Sequence, residues 1–87
     1  MNRLKNMGLI FKAFDGPNQK ICVISPTIRR ADNYLTTFCI LLDSLGINYK
    51  LNKLNRFITF KNNTRIYFTN TEYRLIGKRL SSVFIDE

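Results

Sequence analysis

Apolar residues change period several times along this chain, and each change marks an element. Over residues 3–14, Leu4, Met7, Phe11 and Phe14 recur at three- and four-residue spacing, which predicts a helix burying those four side chains. Asp15-Gly16-Pro17-Asn18 then stops the helix and turns the chain. Residues 20–25 hold a continuous apolar run, Ile21-Cys22-Val23-Ile24, which predicts a strand buried on both faces, of the kind parallel sheets favour. Pro26 has no N–H to give to a ladder and ends the strand. Thr27 is placed to cap a second helix over residues 28–45. Its apolar stripe is Ala31, Tyr34, Leu35, Phe38, Leu41, Leu42 and Leu45, and Gly46 stands where a left-handed C-terminal cap is expected.

Residues 47–55 mix polar and apolar side chains without a period. Residues 56–60 and 64–69 read as two strands joined by Lys61-Asn62-Asn63; tandem asparagines tolerate positive φ, so a hairpin is expected. Residues 71–80 read as a polar loop or short helix. Ser82 to Ile85 reads as a short buried strand, followed by Asp86 and Glu87. The order helix, strand, helix, hairpin, strand predicts an α/β fold. The strands at 20–25 and 82–86 are expected to lie side by side and parallel, with the long helix and the hairpin in a right-handed crossover between them. There is no repeat, low-complexity tract or linker, so residues 1–87 form a single small domain or a fragment of a larger one.

Composition narrows the field. The apolar share, 45%, is ordinary for a folded domain, and a chain of 87 residues buries only a modest fraction of its surface. No apolar run reaches the roughly 18 residues of a membrane span, and no secretory leader is visible, so a cytoplasmic location is expected: the host cytoplasm, if the protein is viral. Cys22 and Cys39 sit in separate apolar runs and read as core residues of a reducing compartment. With no histidine, Ser-His and Cys-His catalysis and the usual zinc clusters are excluded. The net charge of +8 points to a polyanionic or acidic partner: nucleic acid, an acidic protein surface or a nucleotide.

Four stretches carry candidate chemistry. Asp86 and Glu87 follow a strand, and ligands of open α/β sheets bind outside the carboxyl ends of strands; an aspartate there can hold Mg²⁺ and a glutamate can orient water. The alternative is two solvated acids after an apolar run. Thr27, Arg29 and Arg30 lie at the start of the second helix, where arginines oppose the helix dipole; such a placement points to a phosphate or an acidic group nearby, or else both arginines face water at small cost. Lys50, Lys53, Arg56, Lys61 and Arg65 alternate with Tyr49, Phe57 and Tyr67, either as a nucleic-acid track with stacking aromatics or as a solvated hairpin face with its aromatics packed inward. Finally, Gly77-Lys78-Arg79 is not a phosphate-binding loop. G-x-x-x-x-G-K-[ST] requires glycine where Glu72 stands and Ser or Thr where Arg79 stands.

Taken together, Lys20 to Thr27, Arg30-Ala31, Thr64 to Phe68, Gly77-Lys78-Arg79 and Val83 to Glu87 resemble an internal stretch of the ATPase domain of phage terminase large subunits, the DNA-packaging motors. Helicase-like P-loop ATPases share part of the pattern. The resemblance spans nearly the whole chain and implies a partial P-loop ATPase-type three-layer unit, with two parallel strands, a β-hairpin and two helices. It implies that the ending is a Walker B strand, with Asp86 the Mg²⁺-associated carboxylate and Glu87 the residue that orients the hydrolytic water. Mg²⁺ and ATP are cofactors by this resemblance only. Thr27, Arg29, Arg30, Lys78 and Arg79 become candidates for contact with DNA or an acidic partner. In the family a Walker A loop precedes the helix matching residues 3–14, and further strands and a coupling motif follow Walker B. The expectation is therefore a terminase-like fragment that does not hydrolyse ATP alone. Two alternatives remain: a stand-alone phage-type protein that binds and inhibits a host or defence protein, and a non-specific nucleic-acid-binding module.

Overall fold

The computed structural model describes residues 3–70, 80 and 82–86, with the side chains of residues 3–5 outside the description. The elements are α1 (Arg3–Ala13), β1 (Lys20–Ile24), α2 (Ile28–Ser44), β2 (Lys50–Asn52), β3 (Phe57–Thr59), β4 (Arg65–Thr69) and β5 (Ser82–Ile85). The strands form one mixed sheet in the order β2-β3-β4-β1-β5.

β1 lies between β4 and β5 and is parallel to both. The parallel neighbourhood of the strands at 20–25 and 82–86 is as the sequence predicts. The hairpin is also present, with β3 antiparallel to β4. Its turn closes through Asn63 N to Phe60 O (2.9 Å) and Phe60 N to Thr64 O (2.9 Å), and Asn63 takes the positive φ, 67°, that the tandem asparagines permit. Two features correct the expected sheet. The hairpin is no appendage: β4 docks beside β1, so three strands are parallel where two were expected. The unperiodic stretch 47–55 also contributes β2, which pairs antiparallel to β3 from Lys50↔Thr59 to Asn52↔Phe57. A three-residue strand is too short to show a period of two.

One face of the sheet carries Ile21, Val23, Ile58, Ile66 and Phe68, and these join side chains of both helices in a single core. The described residues thus form two layers, helices on sheet. Residues alternate across a strand, so Cys22 and Tyr67, register partners, share the opposite face. β5 differs from its prediction. Phe84 packs against the core, but Val83 and Ile85 are 46% and 50% exposed.

The long helix buries Ala31, Tyr34, Leu35, Phe38, Cys39 and Leu42, close to the predicted stripe; Leu41 is half-buried and Leu45 is exposed. Gly46 at φ 71° ends it, with Gly46 N on Asp43 O and Ile47 N on Leu42 O, a Schellman closure. The first helix turns inward a face that shares only Met7 with the described part of the predicted stripe; Met7 packs against the core, and the side chain of Leu4 lies outside the description. Asn6, Leu9, Ile10 and Ala13 are buried, whereas Phe11 is 69% exposed. Both stripes have helical spacing; the packed one is chosen by tertiary contacts. Tyr34 Oη donates to Asn6 Oδ1 (2.7 Å), and the Asn62 side chain at the hairpin turn donates to Ala13 O (2.9 Å). Gln19 and Thr64 also donate to Gly16 O, so the turn satisfies carbonyls at the end of α1.

Candidate functional site at the carboxyl ends of the parallel strands

The ladder between β1 and β5 runs one residue past β5, since Asp86 N donates to Ile24 O (2.8 Å). On the other side of β1, Ser25 N donates to Thr69 O (2.8 Å). Parallel pairing therefore brings Ser25 and Asp86 to the same end of the sheet. Both are buried, and Ser25 Oγ donates to Asp86 Oδ2 at 3.0 Å. The other carboxylate oxygen faces Arg30, whose Nη2 lies 3.7 Å from Asp86 Oδ1. Of the two readings of the arginines at the start of α2, a nearby acidic group holds for Arg30, and that group is Asp86.

Thr27 is the helix N-cap, its Oγ1 accepting from Arg30 N (3.2 Å). The capping bond holds the first turn of α2, and with it Arg30, beside the strand ends. Arg29 is exposed and forms no ion pair among the described residues. Glu87, Lys78 and Arg79, the remaining candidates from the sequence, lie outside the described residues. The structure therefore joins Asp86 to Arg30 and sets Thr27 beside them through the cap.

A cleft of about 180 Å³ opens over this pair, lined by Arg30, Asn33, Tyr34, Thr37 and Asp86. Asn33, Tyr34 and Thr37 were not singled out by the sequence reading. Their signal is the spacing 30, 33, 34, 37, which puts four side chains on one side of α2. Tyr34 belongs to the core stripe through its ring, while its hydroxyl reaches Asn6. Burial, and secondarily the Asp86 charge, push the Tyr34 phenol up from 10.0 to about 12, so it stays a hydrogen-bond donor at neutral pH.

Both carboxylate oxygens of Asp86 are engaged, one by a hydroxyl and one by a guanidinium, and no group of three His, Cys, Asp or Glu side chains occurs among the described residues. Mg²⁺ requires near-octahedral oxygen ligation. Mg²⁺ sites commonly use one or two carboxylates with phosphates and waters, and Asp86 is the carboxylate described at this end of the sheet.

The basic hairpin is organised differently. Arg56 Nε meets Asp32 Oδ1 at 2.6 Å. Arg65 stands over the Phe57 ring at 4.8 Å, and Phe57 packs on Tyr67 with centroids 5.1 Å apart. Lys50, Lys53 and Lys61 are exposed. Both cysteines are free and buried, and burial pushes the Cys22 thiol from 9.0 up to about 11. Among the described residues no helix is long and apolar enough to cross a membrane.

Among the described residues, these features define a small α/β domain with a five-stranded mixed sheet, two helices and a buried carboxylate at a strand end. No protein family, curated protein or solved structure matches the chain.

Proposed function

We propose that residues 1–87 are the Walker B-bearing part of a terminase-like DNA-packaging ATPase domain and do not hydrolyse ATP by themselves. The observation that carries this reading is the position of Asp86. It is buried directly after a strand parallel to β1, the middle of the three parallel strands, and it is held by Ser25 at the end of β1. Acids at this point of an open α/β sheet face the place where ligands bind. The order of the sheet supports the same reading: β5 is its last strand, so the edge beyond β5 is where a further strand of a larger domain would pair.

The lack of turnover follows from phosphate chemistry. These residues contain no G-x-x-x-x-G-K-[ST], and without its backbone N–H groups and lysine the β- and γ-phosphates lose most of their contacts. Arg30 also pairs with Asp86 within the chain, 3.7 Å apart. That ion pair equally favours a second reading, a stand-alone phage-type protein that binds and inhibits a host or defence protein without chemistry of its own.

The test is recovery of the tagged chain from host cytoplasm after nuclease treatment, read by mass spectrometry, alongside ATP turnover of the purified chain. Recovery with packaging-motor subunits and no turnover is the expected result. Turnover by the chain alone, abolished by Glu87→Ala, overturns the claim of incompetence. A single stoichiometric host protein in place of motor subunits overturns the motor reading in favour of the inhibitor.

A further inference from the structure

A second cleft lies at the opposite end of the sheet. Its volume is about 440 Å³, and it is lined by Asn48, Tyr49, Lys50, Thr59, Phe60, Lys61 and Asn63. The cross-strand row Lys50↔Thr59↔Arg65↔Lys20 places it at the amino end of β1, whereas Asp86 follows the carboxyl end of β5. The cleft arises from the hairpin turn. β2 and β3 pair only as far as Lys50↔Thr59, while beyond it Phe60 continues the β3–β4 hairpin by giving its N–H to Thr64 O (2.9 Å). The two chain segments therefore separate, and a gap opens between residues 48–50 and 59–63.

We infer that this cleft binds one nucleotide unit of a single-stranded nucleic acid, with the base against Tyr49 and the flanking phosphates on Lys50 and Lys61. Its volume falls within the roughly 300–1,000 Å³ of small-molecule sites. Tyr49 is half-buried, and its hydroxyl donates to Asp43 Oδ1 (2.9 Å) and reaches Cys39 O (3.4 Å). The ring is thus already fixed, and little rotamer freedom is lost when a base stacks on it. The same contact occupies Asp43, and Asp32 is occupied by Arg56. Lys50 and Lys61 are exposed and form no ion pair among the described residues. The exposed amide of Asn48 offers donors and an acceptor to a base edge, while the Asn63 amide gives one N–H to Asn18 Oδ1 (2.9 Å). A base can enter such a cleft only when unpaired and unstacked, which selects single strands over duplex.

The experiment is fluorescence anisotropy of a labelled 15-nucleotide oligothymidylate with the 87-residue chain over a range of salt, repeated with a duplex of the same length and with thymidine monophosphate. Each lost phosphate contact reduces the salt slope by about 0.7 for single strands, so Lys50→Ala/Lys61→Ala is expected to make it shallower by about 1.4. Tyr49→Ala is expected to weaken binding about tenfold or more at fixed salt. Because Tyr49→Ala also loses the bond to Asp43, the lysine variants, whose side chains are exposed, carry the test if that variant does not fold. An unchanged slope in Lys50→Ala/Lys61→Ala overturns the inference. So does an equal change in Lys12→Ala, duplex bound as tightly as single strand, or binding of the monophosphate with none of the oligonucleotide.

Discussion

Ser25 Oγ and Asp86 Oδ2 lie 3.0 Å apart in the interior, although 61 residues separate them along the chain. The bond ties the ends of two adjacent parallel strands and turns one carboxylate oxygen inward, leaving the other to Arg30. A buried carboxylate is tolerated only when its lone pairs are satisfied, so the three residues are expected to act as a unit.

Ser25→Ala removes the hydroxyl donor and leaves the carboxylate with Arg30 alone. Urea denaturation is expected to show a loss of about 1–3 kcal/mol. In a double-mutant cycle with Asp86→Asn the two changes should couple by about 1 kcal/mol. Strictly additive losses would show that the contact does not contribute to stability.

The Tyr34 phenol ordinarily ionises near 10.0 and is raised to about 12 in the fold, by burial first and by Asp86 second. Between these values the native state holds a proton that the unfolded chain has released. The stabilisation from the neutral phenol is therefore complete below about pH 10 and is lost as pH rises toward 12. Tyr34→Phe should remove this part of the alkaline decline. It should also cost about 1–3 kcal/mol at neutral pH, because buried Asn6 loses its donor. A variant with wild-type stability at pH 7 and an unchanged alkaline limb would contradict this.

The inward face of α1 separates two stripes of equal spacing. Leu9→Ala, at a site 1% exposed, should cost about 2–5 kcal/mol. Phe11→Lys, on the outward face, should change stability by no more than about 0.5 kcal/mol. If Phe11→Lys proves the costlier of the two, the helix is packed through the other face.

Two glycines should respond to alanine with opposite signs. A Cβ at either Gly8 or Gly46 meets nothing within 4 Å, so backbone conformation alone decides. Gly8 is exposed within α1, and Gly8→Ala should raise stability by about 0.4–1 kcal/mol. Gly46 sits at φ 71°, and Gly46→Ala should lower it by about 1–2 kcal/mol. Thermal melts of the two variants moving in the same direction would refute this account.

What the chain states locally, it states reliably. The run Ile21 to Ile24, the stripe from Ala31 to Leu42, Gly46 and the asparagine turn each encode an element through a period of 2 or 3.6 or through a tolerated φ. The residue after the last strand, Asp86, could be placed at a sheet end for the same reason. Tertiary structure decided everything that depends on which surfaces meet. It turned Leu9 and Ala13 inward in place of Phe11, because Asn6 finds Tyr34 and Ala13 O finds Asn62 only in that orientation. It set β4 beside β1 and left β5 at the edge, so Val83 and Ile85 are half-exposed despite lying in an apolar run. It gave Asp86 its two partners and opened the cleft beside Tyr49, where neighbours come from segments far apart in sequence. Periodicity reports the geometry of a segment with itself. Pairing between distant segments depends on the sum of many weak contacts, and no single stretch of the sequence carries that sum.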